Sequence, residues 1–417
     1  MSTLADGDAV SPEQLHELLE TGERFTVLDV RNRAEHEAWP LEGAPETVVI
    51  PYQQFVQASV TGTVEDLAAD LDGPVVAICG RGEASAHAAE LLRETGIEAY
   101  NLAEGMRGWA RVYVATTVST PEPTTVSTPE PTTVSTPGPD GGGGLTVVQY
   151  RRPASGCLAY LVVSGDEAAV IDPLRAFADR YVADAREHGA ALRYAIDTHV
   201  HADHVSGVRE VAAAASESES NGGPVEVVLP AGARDRGLAF DARLVDDGDV
   251  IEVGAAAIEA VHLPGHTTEL TGWRVGDLLV AGDTLFVESV ARPDLERGDE
   301  GAPEAARRLH ATLHDRVLTL PDDVRLAPGH YSAAAERTPD GTYTARLGDL
   351  RGSLSLLALD ADEFVDAVLA EMPPRPNNFE RIIETNLGRA SIDDEEAFEV
   401  ELGPNNCAAT TTAADDD

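Results

Sequence analysis

Apolar residues along this chain fall into short runs that end in polar or glycine-containing turns. Continuous apolar runs at Val75–Ile78 and Leu192–Ile196 predict buried strands, because a strand covered on both faces needs no polar side. Leucines at helical spacing after Ser11-Pro12 predict a helix, with Ser11 as its N-cap and Pro12 at its first position. The chain is therefore expected to contain both helices and strands.

This pattern stops between residues 115 and 144. An octapeptide, Thr-Thr-Val-Ser-Thr-Pro-Glu-Pro, occurs three times from Thr116, with Gly138 replacing its glutamate in the third copy, and four glycines follow Asp140. Proline-rich repeats without an apolar face predict an extended spacer. We therefore predict one domain at residues 1–114, a linker at 115–144 and a second domain at 145–391. The acidic, then Ala/Thr-rich residues 392–417 predict a disordered tail.

Charge is extreme: 73 acidic and 30 basic residues give a net charge of -43 over 417 residues, and every basic residue is arginine. The recurring apolar runs argue against general disorder. We interpret the charge as a halophilic adaptation, because the Debye length shrinks to about 3 Å at 1 M salt and self-repulsion becomes tolerable. Such a surface disfavours nucleic acid or an anionic membrane as a partner.

Targeting and disulfide signals are weak. Residues Met1–Asp8 have neither the basic start nor the apolar core of a secretion signal, and no apolar run reaches the ~18 residues of a membrane helix. The three cysteines, Cys79, Cys157 and Cys407, are too few and scattered for a disulfide framework. We predict a cytoplasmic protein.

Three histidines and an aspartate crowd the turn after the Leu192–Ile196 run, in Thr198-His199-Val200-His201-Ala202-Asp203-His204. A rigid strand that ends in an open turn suits a metal. Glycine precedes three further candidates, and it lets the backbone turn tightly beside an ion; these are His266, Asp283 and His330. Imidazole and carboxylate ligands suit zinc and iron alike, so the residue types leave the metal open.

Cys79 lies between the Val75–Ile78 run and a predicted helix at Ala86–Leu92. Loop N–H groups, the helix dipole and Arg81 would all favour the thiolate form of Cys79. The alternative is a buried cysteine that acts as a small hydrophobic residue. The residues alone leave both interpretations open.

Residues 8–114 resemble a rhodanese domain. The resemblance rests on Leu28-Asp29-Val30-Arg31, on the loop from Cys79 to Ser85, and on Glu104-Gly105-Met106-Arg107-Gly108-Trp109. It implies an α/β domain with a parallel sheet and flanking helices, in which Cys79 is the catalytic sulfur carrier. Arg81, Gly82 and Ser85 would bind the substrate, and Asp29 and Arg31 would be structural supports. Glu83 departs from a loop that should welcome anions.

The histidine- and aspartate-containing segments resemble, as a set, the metallo-β-lactamase superfamily over residues 145–391, which implies an αββα sandwich with the metal at one edge. Within it, Gly282–Phe286, Ala291–Leu295 and Pro373–Phe379 are similar to rhodanese-fused persulfide dioxygenases. That branch implies one Fe(II) held by His199, His266 and Asp283, and a substrate contact at Arg292. His201, Asp203, His204 and His330 would line the site, although Gly329-His330-Tyr331-Ser332 departs from the usual pattern.

The resemblance predicts an enzyme of sulfur metabolism and sulfide detoxification. It would oxidise a low-molecular-weight thiol persulfide with O2 to sulfite, and the rhodanese would transfer sulfur and form thiosulfate, in a monomer or a homodimer. The alternative is a glyoxalase II-like thioester hydrolase with two zinc ions: His199, His201 and His266 at one, Asp203, His204 and His330 at the other, and Asp283 bridging. A non-catalytic sulfur-binding module ranks third.

Other candidates receive structural roles. Cys157 is expected in the core, and Cys407, in the predicted tail, is not expected to be catalytic. Asp172 either orients a ligand histidine or ends a strand, and the sequence does not decide between these two roles. The remaining histidines without motif neighbours are predicted to be surface or structural: His188, His262, His310 and His314.

Overall fold

The structure is a computed structural model that describes residues 4, 7–69, 71, 73–119, 144–217, 221, 223–370 and 372–409. The chain forms two compact units, one made mainly of residues up to 114 and one made mainly of residues 115–401 and 405–409. Most of the predicted linker (120–143) and the end of the predicted tail (410–417) lie outside the described residues.

The first unit is a five-stranded parallel sheet in the order β1-β5-β4-β2-β3 with flanking helices. The neighbouring strands at residues 26–29 and 75–78 are both fully buried, as the apolar run Val75–Ile78 predicts for the second. The strands are β1 (Ala9–Val10), β2 (Thr26–Asp29), β3 (Thr47–Val49), β4 (Val75–Ile78) and β5 (Ala99–Leu102), and the helices are α1 (Pro12–Thr21), α2 (Arg33–Ala38), α3 (Tyr52–Thr61), α4 (Val64–Ala68), α5 (Glu83–Glu94) and α6 (Gly105–Trp109).

Parallel pairing decides where the chemistry of this unit lies. The carboxyl ends of neighbouring parallel strands meet at one edge of a sheet, and β2 pairs with β4. Asp29 ends β2 and Cys79 follows β4, so both lie at this edge. The predicted first helix is confirmed, because α1 begins at Pro12 and the Ser11 side chain accepts a hydrogen bond from the Gln14 N–H.

The second unit contains two sheets. The first has the order β12-β11-β10-β9-β8-β7-β6 and the second runs from β13 to β18 in sequence order. The strands are β6 (Val114–Val118), β7 (Leu145–Arg152), β8 (Cys157–Ser164), β9 (Glu167–Ile171), β10 (Ala191–Ile196), β11 (Glu226–Pro230), β12 (Arg243–Val245), β13 (Val250–Val253), β14 (Ala256–His262), β15 (Thr271–Val275), β16 (Leu278–Gly282), β17 (Arg325–Pro328) and β18 (Ala345–Arg346).

The two sheets share one core, in which Tyr160 and Ile196 of the first sheet pack with Trp273 of the second. Helices cover the outer faces, for example where Leu309 and Phe364 pack against Leu279. The helices of this unit are α7 (Ala178–Glu187), α8 (Val208–Glu217), α9 (Gly298–Thr312), α10 (Leu347–Ser353), α11 (Ala361–Ala370), α12 (Phe379–Asn386) and α13 (Asp394–Val400). The predicted fold class, a rhodanese-like α/β domain followed by an αββα sandwich, is confirmed.

Turns at the ends of four strands carry the predicted metal ligands. His199 follows β10 of the first sheet, whereas His266, Asp283 and His330 follow β14, β16 and β17 of the second. The packing of the two sheets therefore brings ligands that are far apart in sequence to one edge of the sandwich. Among the described residues, no helix is both long enough and apolar enough to cross a bilayer.

The described part of the predicted tail is folded, contrary to expectation. Residues 394–400 form α13, and Cys407 and Ala409 are almost fully buried. Composition suggested disorder here because the stretch contains few large apolar residues. Its order comes instead from backbone pairing, since Ala291 and Ala408 form an antiparallel bridge and the Ala409 N–H donates to the Val290 carbonyl. Residues 114–118, at the predicted start of the linker, form the edge strand β6.

Candidate metal centre and cysteine loop

Three of the predicted ligands converge on one point. His199, His266 and Asp283 each offer a ligand atom, and these atoms all lie within 4.8 Å of one another. All three side chains are buried, and His199 Nε2 and Asp283 Oδ2 have no hydrogen-bond partner. A buried polar atom without a partner is costly, and a metal ion bound there would remove that cost. The residues present therefore fit a metal held by two imidazoles and one carboxylate.

A hydrogen-bond chain orients His199. The Thr198 hydroxyl donates to Asp172 Oδ2 at 2.9 Å, so its oxygen is left to accept from His199 Nδ1, also at 2.9 Å. Nδ1 then carries the proton and Nε2 keeps its lone pair for a metal. Burial, and next the charges of His201 and His266, hold the pKa of His199 well below its usual value and keep it neutral. Asp172 thus has the orienting role rather than only ending a strand.

The position of Asp172 has a backbone cost. Its φ of 51° is in the left-handed region, which non-glycine residues seldom adopt. From there its carboxylate accepts from the Thr198 N–H at 2.6 Å and lies 3.1 Å from His201 Nε2. One carboxylate therefore fixes both ends of the His199-to-His201 turn.

His266 is oriented by a carbonyl group. Its Nδ1 donates to the Arg292 carbonyl oxygen at 2.7 Å, which leaves Nε2 free, 3.7 Å from Asp283 Oδ2. The Arg292 guanidinium is 1% exposed and donates to both Asp294 oxygens and to the carbonyls of Pro374 and Asn406. We expected Arg292 to contact substrate. The structure instead places it as a support of His266, because all three guanidinium nitrogens already donate to acceptors of the protein.

Three of the remaining predicted ligands, Asp203, His204 and His330, form a second group with Cys157, with ligand atoms within 4.8 Å of one another. The fourth, His201, lies instead in a group with Asp172 and Asp197. Asp203 Oδ2 accepts from His330 Nε2 at 2.7 Å and from Cys157 Sγ at 3.3 Å. Asp203 Oδ1 and His204 Nε2 are buried without a partner. Cys157 begins β8 and is buried, as expected, but it borders this group.

His330 has no free ring nitrogen. Its Nδ1 donates to Asp283 Oδ1 and its Nε2 to Asp203 Oδ2, each at 2.7 Å. Burial works against the charged ring, but the two carboxylates outweigh it and raise the pKa of His330 well above the usual value. A doubly protonated imidazole cannot ligate a metal, so His330 in this state links the two aspartates.

Sequence reasoning missed three contributors to this centre. The Asn386 side chain donates to the carbonyls of His201 and His204 and accepts from the Ser206 N–H. Glu269, 1% exposed, accepts from the Val200 N–H at 3.0 Å and from Arg236 at 2.7 Å. Cys407 lies with Asp283 and His330 in a further group of potential ligands. Only Asn386, next to the Pro373–Phe379 segment, carried a motif signal.

The Cys79 sulfur in the first unit is surrounded by donors. The Gly82 N–H and the Ser85 N–H donate to it at 3.1 Å and 3.4 Å, and the Ser85 hydroxyl oxygen lies 3.1 Å from it. Gly82 has a φ of 100°, which turns its N–H toward the sulfur at a backbone angle that other residues rarely adopt. Arg81 and Glu83 are exposed. The loop can stabilise negative charge on the sulfur.

Helix α6 binds the carbonyls of this loop. The Met106 N–H donates to the Cys79 carbonyl and the Arg107 N–H to the Gly80 carbonyl. A Cβ at Gly105 would lie 2.3 Å from the Cys79 carbonyl oxygen, so only glycine permits this approach. The segment from Glu104 to Trp109 therefore turns the loop carbonyls away from the sulfur.

Asp29 and Arg31 form a buried ion pair beneath the same edge. Arg31 Nη2 lies 2.6 Å from Asp29 Oδ2 and also donates to the Trp39 carbonyl, and His36 Nδ1 lies 2.9 Å from Asp29. Burial alone would raise the pKa of Asp29, but the hydrogen bonds and charge of Arg31 hold it below the usual value. These contacts support the strand ends.

Comparisons with known proteins match both domains of the chain. The Metallo-beta-lactamase superfamily matches residues 152–330, and the Rhodanese-like domain matches residues 11–112. Human mitochondrial persulfide dioxygenase ETHE1 is 28% identical over 257 residues, covering 59% of this chain and 90% of that protein. A probable metallo-hydrolase of Burkholderia pseudomallei is 34% identical over 221 residues, covering 45% of this chain and 72% of that protein.

Among solved structures, a metallo-beta-lactamase from Staphylococcus aureus superposes with a TM-score of 0.52 at 24% identity, covering 60% of this chain and 74% of that one. This likeness concerns the fold. Together with the match over residues 152–330 and the Burkholderia relative, it identifies the chain as a member of the metallo-beta-lactamase superfamily that also carries a rhodanese-like domain.

Proposed function

We propose that this protein oxidises a small thiol persulfide with O2 at a single iron and transfers sulfur through Cys79. The observation that carries the proposal is the contrast between the two ligand groups. At the first group, His199 Nε2 and Asp283 Oδ2 lack hydrogen-bond partners and lie beside His266. In the second group Asp203 Oδ1 and His204 Nε2 also lack partners, but both nitrogens of His330 donate to carboxylates. This arrangement supports one metal rather than two, and the likeness to human persulfide dioxygenase supports the reaction.

The balanced reaction is R–S–SH + O2 + H2O → R–SH + SO3²⁻ + 2 H⁺. His199, His266 and Asp283 would hold the iron, which would supply the chemistry with O2. The chain's own residues hold these ligands in place: the Thr198–Asp172 pair sets the His199 ring, and the Arg292 carbonyl sets the His266 ring. The three ligands are at most 1% exposed, so the protein also keeps bulk water from the centre.

In the first unit, the Cys79 thiolate would attack the outer sulfur of a persulfide and release the carrier as a thiol: R–S–SH + Cys79–S⁻ → R–S⁻ + Cys79–S–SH. After deprotonation, sulfite would attack that outer sulfur: Cys79–S–S⁻ + SO3²⁻ → Cys79–S⁻ + S2O3²⁻. The donors from Gly82 and Ser85 stabilise the thiolate, which is nucleophile in the first step and leaving group in the second. Thiosulfate would be the final product.

A groove of about 670 Å³ in the second unit is a candidate for the non-sulfur part of the thiol. Its walls include Arg236, which pairs with Glu269 beside the His199 turn, and Asp294, which pairs with Arg292 beside His266. On each side of the groove, one residue links the wall to a turn that carries a candidate ligand: Glu269 on one side and Arg292 on the other. The volume is in the range usual for small-molecule sites.

A dinuclear zinc thioester hydrolase is the second candidate, favoured by the group of Cys157, Asp203, His204 and His330. Two metals would require the His330 hydrogen bonds to Asp203 or Asp283 to break. The Burkholderia relative, described as a probable metallo-hydrolase, is consistent with this candidate.

The test is oxygen uptake by the full chain, reconstituted anaerobically with Fe(II) in molar salt and given a small-molecule persulfide. We expect uptake with sulfite formation, loss in His266→Ala, and retention in Cys79→Ala and in the matched exposed control His188→Ala. Iron bound at one equivalent without oxygen uptake would reject the dioxygenase. Thioester hydrolysis by a form with two zinc ions would then support the alternative.

A further inference from the structure

The Ser85 hydroxyl has more acceptors than protons. Its oxygen lies 3.1 Å from Cys79 Sγ, 3.2 Å from the Gly82 carbonyl oxygen and 2.7 Å from the side-chain amide of Asn101. A hydroxyl carries a single proton and two lone pairs. It therefore donates to one neighbour at a time, and the shortest contact, to Asn101, has the strongest influence on which neighbour that is.

Asn101 has both kinds of partner atom in one planar group. Its amide oxygen accepts the Ser85 proton in the orientation with the 2.7 Å contact. A 180° turn of the amide would present Nδ2 instead, and heavy-atom positions alone do not distinguish the two orientations. Nδ2 would donate to the Ser85 oxygen, and the Ser85 proton would then be available to the Cys79 sulfur.

We propose that Asn101 is a positioning residue that directs the Ser85 hydroxyl onto the Cys79 thiolate. With a neutral thiol, the hydrogen bonds run from Cys79 S–H to Ser85 and from the Ser85 hydroxyl to the Asn101 oxygen. When the thiol loses its proton to a base in solvent, they run the other way, from Asn101 Nδ2 to Ser85 and from the Ser85 hydroxyl to the sulfur. The amide turn therefore couples to the charge on Cys79.

The location of Asn101 suits this role. It lies in β5, which pairs with β4, the strand that leads into Cys79. Its backbone N–H donates to the Asp8 carbonyl, which fixes the main chain while the side chain faces Ser85. The role needs a side chain that can both accept a hydrogen bond from Ser85 and donate one to it. Aspartate has the same shape as asparagine but can only accept, and leucine can neither accept nor donate. Asparagine meets both requirements at this size.

In the sulfur transfer proposed above, on which this role rests, the hydrogen bonds from Asn101 through Ser85 to Cys79 would act twice. They would stabilise Cys79 as the attacking thiolate, and again as the thiolate that leaves when sulfite takes the outer sulfur. Asn101 touches no reacting atom, so its effect must pass through Ser85. A double-mutant cycle can therefore separate a positioning role from a packing role.

The experiment measures the rate of Cys79 alkylation by iodoacetamide against pH in the full-length protein, with the Cys79 peptide quantified by mass spectrometry. The variants are Asn101→Leu, Asn101→Asp, Ser85→Ala and the Ser85→Ala/Asn101→Leu double variant. We expect Asn101→Leu to move the midpoint to higher pH and to slow alkylation near neutral pH roughly three- to ten-fold, as expected for one hydrogen bond. Asn101→Asp should shift it further, because it accepts only and adds negative charge.

The decisive comparison is in the Ser85→Ala background, where we expect Asn101→Leu to change neither the pH midpoint nor the rate of Cys79 alkylation. An equal shift in both backgrounds, or no shift in either variant at Asn101, would overturn the proposal. Asn101→Asp preserves the shape of the side chain and keeps the test valid if Asn101→Leu folds poorly. Loading of one sulfur atom onto wild-type Cys79 from a small-molecule persulfide is measured separately, so failure of the sulfur-transfer function does not affect the alkylation result.

Discussion

His266 Nδ1 donates a 2.7 Å hydrogen bond to the carbonyl oxygen of Arg292, and the Arg292 guanidinium is itself held by Asp294 and by the carbonyls of Pro374 and Asn406. The orientation of this candidate metal ligand thus depends on a buried arginine whose side chain makes its contacts elsewhere. Supports of this kind typically change metal affinity by 10–100-fold when lost.

Arg292→Lys is therefore expected to weaken metal binding by about 10–100-fold. Lysine keeps the charge but lacks the planar fork that reaches Asp294 and two carbonyls together. Competition with a chelator would measure the dissociation constant. Arg307→Lys is the matched control, since Arg307 makes only an exposed pair with Asp362. A folded Arg292→Lys protein with wild-type affinity would contradict this account of His266.

Truncation provides an independent test of the same support. Removing residues 405–417 deletes the Asn406 carbonyl that binds the Arg292 side chain and the Cys407 carbonyl that accepts the Arg292 N–H at 3.0 Å. We expect the loss of metal affinity to match that of Arg292→Lys, again about 10–100-fold. Removing only residues 410–417 should leave affinity unchanged. Metal content after dialysis against a weak chelator reports both results, and equal affinities would contradict the prediction.

Glu269→Ala is expected to destabilise the second unit by roughly 3–5 kcal/mol, the usual cost of breaking a buried ion pair. It leaves Arg236 and the Val200 N–H without their acceptor. Glu269→Gln keeps an oxygen acceptor at that position and should lose less unfolding free energy than Glu269→Ala. Urea unfolding of the metal-free protein in molar salt measures both, and Glu304→Ala, at an exposed pair with Arg308, serves as the control. Equal losses for alanine and glutamine would show that the hydrogen bond to Val200 is unimportant.

Asp29 predicts a pH dependence of stability. Arg31 overcomes the effect of burial and lowers the folded-state pKa of Asp29 below the usual value for an aspartate. Its contribution to stability is therefore fully present above that value and is lost as pH falls through the folded-state pKa. The difference in unfolding free energy between wild type and Asp29→Asn should be about constant from pH 7 to 5 and shrink below pH 4. A difference that grows on acidification would mean that the sign is wrong.

The grouping of the candidate ligands in space could be predicted because these residues carry their chemistry in their side-chain types. His199, His266 and Asp283 each follow an apolar run, and strand ends meet at sheet edges, so residues far apart in sequence could be grouped in advance. The strands themselves followed from the same runs, as at Val75–Ile78.

The supports could not be predicted in the same way. Arg292 acts on His266 through its carbonyl, a group that every residue has, so its identity gave no hint of that contact. The order of residues 405–409 comes from backbone pairing with Val290 and Ala291, which composition does not encode. Asn101 reaches Ser85 only because β5 lies beside β4.

The dependence of Arg292 on Asn406 and Cys407 also sets an order of assembly during synthesis. All strands of the cysteine-bearing sheet are present once residue 102 has been made, whereas the support of His266 is complete only after residue 407. At ~5–20 residues per second, translation of the intervening chain takes tens of seconds. A nascent chain would therefore present a folded cysteine-bearing sheet tens of seconds before the support of His266 is complete, and we expect weaker metal binding at the second unit until then.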